Sequence, residues 1–209
     1  MCHSLGKQNS MKSEKYEQVF TWNRTDLLFQ ASSNLQWSTF AVQVEFKCES
    51  ETIYLDGFWN GNSEWVVRFA PTSPGIWKWT SRSEDPAMDN QEGAIECIAP
   101  DEDQKQANKN LHGFVHVPKN GLHFQYADGE PFFFLGDTVW AINTLRCGLG
   151  KKKDGEFFSW LKDRRTKGFT TACVQFFRRL NQSNEGGYPF PNNTTDNGIF
   201  SELNPEFFK

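Results

Sequence analysis

The feature that most constrains this chain is a strand, a helix and a second strand in succession in its C-terminal half. The apolar run Phe132 to Leu135, which follows a turn at Asp128-Gly129, predicts a strand buried on both faces. Apolar residues at helical spacing predict a helix in the segment FFSWLKDRRTKGF, ended by Gly168. A second apolar run, Thr170 to Phe177, predicts the next strand. Two strands joined by a crossover helix form a parallel unit, which cannot bury its apolar faces alone.

Parallel units of this kind build the (β/α)8 barrel, a fold of about 250 residues. Residues 113–209 are too few for eight units, so they are predicted to form the first β/α units of an incomplete, truncated barrel. Such barrels gather their active sites at the C-terminal ends of the strands. Asp137 and Trp140 are expected at that end of the first strand, and Gln175 and Arg178 at that end of the second.

The N-terminal half alternates apolar and polar residues with a period of two, which is typical of strands with one buried face. Val44 and Phe46, for example, alternate with Gln43 and Lys47. Turn signals recur at intervals of about ten residues. The pattern predicts that residues 16–99 form an all-β sandwich, Ig-like or jelly-roll-like, with about seven strands.

Most of the eight tryptophans also fall in this half. Three lie in phase with the inward-facing positions of their strands and are predicted to pack in the core: Trp65, Trp77 and Trp79. Trp37 and Trp59 lie beside turns, and each is either a packed ring or an exposed ring able to stack on a sugar.

The two halves are separated by a stretch that is charged, rich in amides and nearly free of apolar residues. These residues, 100–112, are predicted to form an exposed linker. Residues 1–15 are predicted to form a polar tail, and they lack the apolar segment of a signal peptide. The sequence alone therefore does not identify the native compartment.

Composition and motifs argue against several classes of partner. The net charge of −4, without a basic stripe, argues against nucleic acid. The chain holds no run of 18 apolar residues, so no membrane span is expected. It contains no GxSxG, glycine-rich phosphate loop or HExxH motif, and the spacing of His112, His116 and His123 matches no zinc pattern. No cofactor and no metal are expected.

The five cysteines are odd in number and include no CxxC pair. Cys48 and Cys97 either form a bridge between neighbouring strands or remain two buried thiols. The sequence leaves both alternatives open.

Two motif blocks occur in order: GFWNGNSEWVVRFAPTSPGIWKW, and after the linker HGFVHVPKNGLHFQYADGEPFFFLGDTVW with KGFTTACVQFF. Together they resemble bacterial proteins in which a β-sandwich module of unassigned function precedes an apiosidase-like glycoside hydrolase domain. Members of this family have sometimes been labelled collagenases, but no metal motif supports that label here. The resemblance covers residues 17–209.

The resemblance implies a TIM-barrel domain that cleaves glycosidic bonds of plant cell-wall polysaccharides, with a carbohydrate substrate and an extracellular or periplasmic location. Glycoside hydrolysis needs a pair of carboxyl groups. In such barrels these come from later strands, so the chain alone is expected to lack them and to be inactive, and the full-length protein is expected to contain the rest of the barrel. The alternatives are a noncatalytic carbohydrate-binding module that uses Trp37 or Trp59, and a structural spacer.

Four residues are candidates for substrate binding. By position in the resembled barrel, Asp137 accepts hydrogen bonds from sugar hydroxyls or else orients the loop after its strand. Trp140 stacks on a sugar or packs in the core. Gln175 and Arg178 either face the cleft or lie at the surface, where an arginine pairs with a carboxylate.

Overall fold

A computed structural model describes residues 16–35, 41–49, 51–140, 156–174, 183–190 and 203–208. Between residues 17 and 98 the described residues form eight strands, where the alternation predicted about seven. They are β1 (Glu17–Phe20), β2 (Thr25–Gln30), β3 (Gln43–Cys48), β4 (Glu51–Asp56), β5 (Phe58–Gly61), β6 (Glu64–Phe69), β7 (Gly75–Arg82) and β8 (Glu92–Ile98).

These strands form two sheets. The first has the order β1-β8-β7-β3-β4 and the second the order β2-β6-β5. Every pairing is antiparallel except that of β1 with β8, which is parallel and sets Glu17 beside Ile95. Residues of both sheets share one apolar core, as expected for the predicted β-sandwich.

The core is built from aromatic rings at the inward positions. Phe46 of β3 stacks on Phe69 of β6, with ring centroids 3.9 Å apart. Trp77 meets Phe69 edge-on at 5.1 Å. Trp65 and Trp77 are fully buried, as predicted, whereas Trp79 is half-buried and packs against the margin of the core.

Two features of the core do not follow from the alternation of apolar and polar residues. Val66 points away from the core by alternation but is buried, because its register partners Leu28 and Phe58 flank it on the outer face of the central strand. Cys48 and Cys97 are buried as free thiols, so of the two alternatives the structure has the unbridged one.

After the sandwich come short helices, a hairpin and one parallel unit. The elements are α1 (Glu102–Ala107), a 3-10 helix (Lys109–His112), β9 (Phe124–Gln125), β10 (Pro131–Phe132), β11 (Gly136–Val139), α2 (Glu156–Thr166), β12 (Thr171–Val174) and a second 3-10 helix (Pro205–Phe207). Within the predicted linker, Asp101 caps α1, which buries no side chain. Neither α1 nor α2 is long and apolar enough to cross a membrane, and no other described helix is.

The predicted strand, helix and strand are present, and β11 pairs with β12 in parallel. Gly168 follows α2 with φ +80°, as a helix-ending glycine should. The predicted bounds of the first strand are wrong, however: the strand runs over residues 136–139 and not 132–135. Phe132 instead pairs with Phe124 in the hairpin β9–β10. Phe133 and Phe134, at 72% and 56% exposed, are not in a buried strand.

Candidate functional site

The unit formed by β11, α2 and β12 has a covered face and an open face. Successive strand residues point to opposite sides, and in-register parallel partners share a side. Asp137 and Val139 are partly covered on the side of α2, whereas Gly136, Thr138 and Trp140 are exposed on the other side. The predicted site residues Asp137 and Trp140 therefore lie on different faces of the sheet.

Asp137 is engaged by the helix. Its Oδ2 accepts a hydrogen bond from Nε of Arg164 at 2.5 Å, and its Oδ1 accepts one from the backbone N–H of Thr138 at 2.8 Å. The hydrogen bond from Arg164 is the main cause that lowers the pKa of Asp137 below its ordinary value. This carboxylate thus ties β11 to α2, and its contact with a sugar remains a prediction.

Arg164 is the centre of this contact. Besides Asp137 it donates from Nη1 to Asp163 at 2.5 Å. Its guanidinium also lies 5.2 Å from the ring centroid of Phe169 and 5.9 Å from that of Trp160. The arginine therefore joins the strand, the helix and the turn after the helix, a role that its sequence position did not reveal.

Of the three other residues predicted to bind sugar, the structure describes one. Trp140 is 60% exposed on the open face, where its ring is accessible for stacking. Gln175 and Arg178 lie outside the described residues, so their roles stay predictions. The described residues contain no group of three or more His, Cys, Asp or Glu side chains that could hold a metal ion.

His112 is buried and has a structural partner. Its Nδ1 lies 2.7 Å from Oδ2 of Asp128, the turn residue of the hairpin. The same oxygen accepts a hydrogen bond from Lys105 of α1 at 3.1 Å. Burial raises the pKa of Asp128, but the bonds from His112, the Glu130 backbone and Lys105 outweigh it and lower that pKa. This cluster fastens the segment after the sandwich to the hairpin.

A concave region lies at the edge of the sandwich, and the sequence analysis did not predict it. One cavity of about 750 Å³ lies between the sandwich and residues 110–132, with Thr170 also in its lining, and its aromatic lining is Trp22, Phe69, Phe114, Tyr126 and Phe132. A neighbouring cavity of about 620 Å³ has Phe58, Trp59 and Phe208 as its aromatic lining. Both cavities share Arg24 and Arg68, and together they are called the arginine groove.

The two arginines meet at one carboxylate. Arg68 donates two hydrogen bonds to Asp26, at 2.9 and 3.0 Å, across the β2–β6 pairing. Arg24 approaches the same carboxylate through Nη2 at 3.3 Å, with its side chain 65% exposed. The hydrogen bond from Arg68 is the main cause that lowers the pKa of Asp26. The lowered pKa keeps this carboxylate ionised.

The tryptophans predicted beside turns also have defined places. Trp59 is half-buried, packs against the core and donates from Nε1 to the Asn62 carbonyl oxygen at 2.8 Å. Gly61 and Asn62, with φ +106° and +49°, form the tight turn next to it. Trp37 lies outside the described residues.

Comparison with known proteins adds two family matches. Residues 18–84 match a domain of unknown function, DUF5060. Residues 118–209 match the family described as apiosidase-like, catalytic domain. A search among curated proteins gave no match.

Two solved structures resemble the chain to different degrees. A candidate glycoside hydrolase from Bacteroides vulgatus matches 92% of this chain with TM-score 0.67 and 22% identity, and this chain spans 37% of its length. At that identity the likeness concerns the fold alone. The Lin-41 filamin domain covers 44% of this chain and 92% of its own length at 11% identity, with a TM-score of 0.34 that carries no argument. The two family matches confirm the resemblance seen in the sequence: the chain matches DUF5060 and then the apiosidase-like catalytic domain, in that order.

Proposed function

We propose that this chain is part of a glycoside hydrolase that acts on plant cell-wall polysaccharide. In this proposal residues 113–209 supply the first β/α units of a (β/α)8 barrel, and residues 100–112 join them to the sandwich. The observation that carries it is the parallel, in-register pairing of β11 with β12 around α2, inside the region that matches the apiosidase-like family.

The exposed apolar side chains of the unit support a larger sheet. None of the described side chains of β11, α2 and β12 is buried, and Trp140, Leu161 and Val174 are all exposed. Parallel sheets are ordinarily covered on both faces, because crossover helices lie on them. Further β/α units beside β11 and β12 would give these apolar side chains partners from both strands and helices.

We also propose that the 209-residue chain does not itself hydrolyse glycosides. The acid of a glycosidase pair needs a raised pKa, so that it is protonated when it meets the leaving group. The two carboxylates that meet in the unit, Asp137 and Asp163, both bind Arg164. Arg164 lowers the pKa of Asp137, and Lys167 together with Arg164 lowers that of Asp163. Neither is suited to be the acid.

Four residues are proposed to contribute to the sugar site: Trp140, Gln175 and Arg178 as contacts, and Asp137 in a supporting role. Trp140 has the clearest support, since its ring is exposed on the open face at the C-terminal end of β11. Asp137 would reach a sugar hydroxyl only by exchanging its bond to Arg164. Asp137 is the second residue of β11 and not at its C-terminal end as expected, so it acts in this proposal mainly by holding β11 against α2.

The test is hydrolysis by a longer protein that contains this chain and the rest of the proposed barrel. We expect release of reducing sugar from a pectic oligosaccharide, and a Trp140→Ala loss of roughly tenfold in kcat/KM from the missing stacking. Phe158→Ala, which removes an exposed ring from α2, is the control and should leave the rate unchanged. Inactivity of the folded longer protein on a broad panel of glycans would contradict the proposal. Turnover of an aryl glycoside by the 209-residue chain would contradict the proposal that the catalytic carboxylates come from later strands of the barrel.

A further inference from the structure

We infer that the arginine groove binds an acidic oligosaccharide, one whose sugar rings carry carboxylates. The inference rests on the combination of aromatic faces and two guanidinium groups in neighbouring cavities of ligand size. It concerns binding and is independent of the hydrolysis proposed above.

The groove is positive although the chain is acidic. The whole chain carries a net charge of −4. Among the described residues that line the two cavities, however, the charged ones are Arg24 and Arg68. Asp26 is their shared partner, so two guanidinium charges face a single carboxylate. The surplus positive charge favours an anionic ligand over a neutral one.

The two arginines have different freedom. Arg68 is held by its two hydrogen bonds to Asp26 and lies 5.2 Å from the ring centroid of Phe58. Arg24 is joined to Asp26 by one longer contact and is largely exposed. Its planar fork can therefore bind a ligand carboxylate, while Arg68 keeps Asp26 in place beside it.

Aromatic rings lie on both sides of this charged centre. Trp22 meets Phe114 edge-on at 5.2 Å in the larger cavity. The Trp22 backbone has φ +67° and donates to the Pro71 carbonyl oxygen at 2.7 Å, which fixes the turn that carries the ring. Trp59 lines the smaller cavity. The apolar face of a pyranose packs on such rings, so successive sugars could occupy the two cavities.

The groove lies away from the proposed catalytic rim. Thr170, which lines the larger cavity, immediately precedes β12 and so marks the N-terminal end of that strand. Active sites of (β/α)8 barrels lie at the opposite, C-terminal ends. A polysaccharide bound in the groove would be retained by the protein without occupying the site of hydrolysis.

The test is calorimetric titration of the 209-residue chain with three probes of equal length: an oligogalacturonate, its methyl ester and a neutral cello-oligosaccharide. We expect the acid to bind about tenfold or more tightly than the ester, because the ester lacks the charge-assisted hydrogen bonds. Added salt should weaken binding of the acid. Equal binding of acid and ester, or no binding of the acid by the folded chain, would overturn the inference.

Two variants and one control locate the site. Arg24→Gln should weaken binding of the acid by about tenfold. Arg24→Lys keeps the charge but not the planar guanidinium, so its affinity for the acid should lie between those of Arg24→Gln and the parent. Arg82→Gln removes the same charge from β7 in the other sheet and should bind like the parent. Far-UV circular dichroism establishes that each variant is folded. Parent-like binding by Arg24→Gln, or an equal loss in Arg82→Gln, would contradict the site. Because no turnover is measured, failure of the proposed hydrolysis leaves this result unaffected.

Discussion

The sandwich and the β11–α2–β12 unit are stabilised in different ways. In the sandwich, two sheets enclose a continuous apolar core with fully buried rings such as Phe46 and Trp77. In the unit, no described side chain is buried, and the contacts around Arg164 are ion pairs with Asp137 and Asp163 and cation–π contacts. The strands of the unit are thus paired without a core of their own, whereas those of the sandwich enclose one. We expect the sandwich to account for most of the free energy of unfolding.

Magnitudes support this contrast. Burial of one large apolar side chain contributes about 1.5–3 kcal/mol, and partly exposed ion pairs contribute about 0–1 kcal/mol. The helix α2 spans 11 residues, and isolated helices of that length are marginal in water. The predictions that follow compare the two regions directly.

The largest expected difference is in thiol reactivity. In a chain carrying Cys2→Ser and Cys147→Ser, exposed Cys173 should react rapidly with an aromatic disulfide reagent. Cys48 and Cys97 should react at least about a hundredfold more slowly, because the sandwich must open first and because burial raises the pKa of both thiols. Stopped-flow labelling followed by mass spectrometry measures each site. Equal rates at Cys48 and Cys173 would contradict a sealed sandwich.

The same substitution in each region should have very different effects on unfolding. Phe46→Ala removes a fully buried ring stacked on Phe69 and should cost about 3–5 kcal/mol in urea unfolding. Phe158→Ala removes a ring that is 42% exposed on α2 and should cost less than about 1 kcal/mol. A comparable loss from both variants would mean that the unit shares the stability of the sandwich.

Acid should weaken the sandwich through Asp85, a smaller effect. This carboxylate accepts hydrogen bonds from the backbone N–H groups of Ala87 and Ser32, at 2.9 and 2.8 Å, and from the Ser32 hydroxyl. The bond from Ala87 is the main cause that lowers the pKa of Asp85. Because the pKa of Asp85 is lower in the folded than in the unfolded chain, ionised Asp85 stabilises the folded state above the unfolded pKa of about 3.9. This stabilisation is lost as the pH falls through the folded pKa.

Thermal unfolding between pH 7 and about pH 2 measures this effect, because the loss falls below the unfolded pKa. We expect Asp85→Asn to be less stable than the parent at pH 7 and to lose less on acidification, because the titrating group is gone. An acid limb of the same steepness in the variant and the parent would show that Asp85 is not responsible.

The smallest predicted effect concerns the unit. Carboxyl NMR titration should give Asp137 a pKa below its ordinary value, and Arg164→Gln should move it back towards that value. The unfolding midpoint of the sandwich should not change. Arg165→Gln, an exposed neighbour on α2, is the matched control and should leave the Asp137 signal in place. An unchanged pKa in Arg164→Gln would mean that the ion pair does not form in solution.

Sequence patterns predicted the features that depend on local periodicity. Alternation identified the buried faces around Phe46 and Trp65, and helical spacing followed by Gly168 identified α2 and its end. The bounds of β11 could not be read from the apolar run, because Phe132 has an equally apolar partner in the hairpin. The periodicity of the sequence predicts that a strand is present, but hydrogen-bonded pairing with a neighbouring strand determines its first residue.

The arginine groove depends on tertiary packing and left no local signal. Arg68 and Asp26 are paired only because β2 lies beside β6 in a particular register. Trp22 meets Phe114 across the boundary between the sandwich and the following segment. The bond between Asp137 and Arg164 likewise joins a strand to a helix that comes later in the chain. None of these contacts follows from residue spacing.

The parallel pairing of β1 with β8 has a consequence for synthesis on the ribosome. The first strand of the sandwich has its partner only in the last, where Phe20 pairs with Ile98. Contacts between such distant residues form slowly, and domains generally fold as units during translation. The β1–β8 edge of the sandwich therefore cannot form until β8 has left the exit tunnel. A nascent chain arrested ahead of β8 would leave β1 unpaired and β7 as an open edge for aggregation.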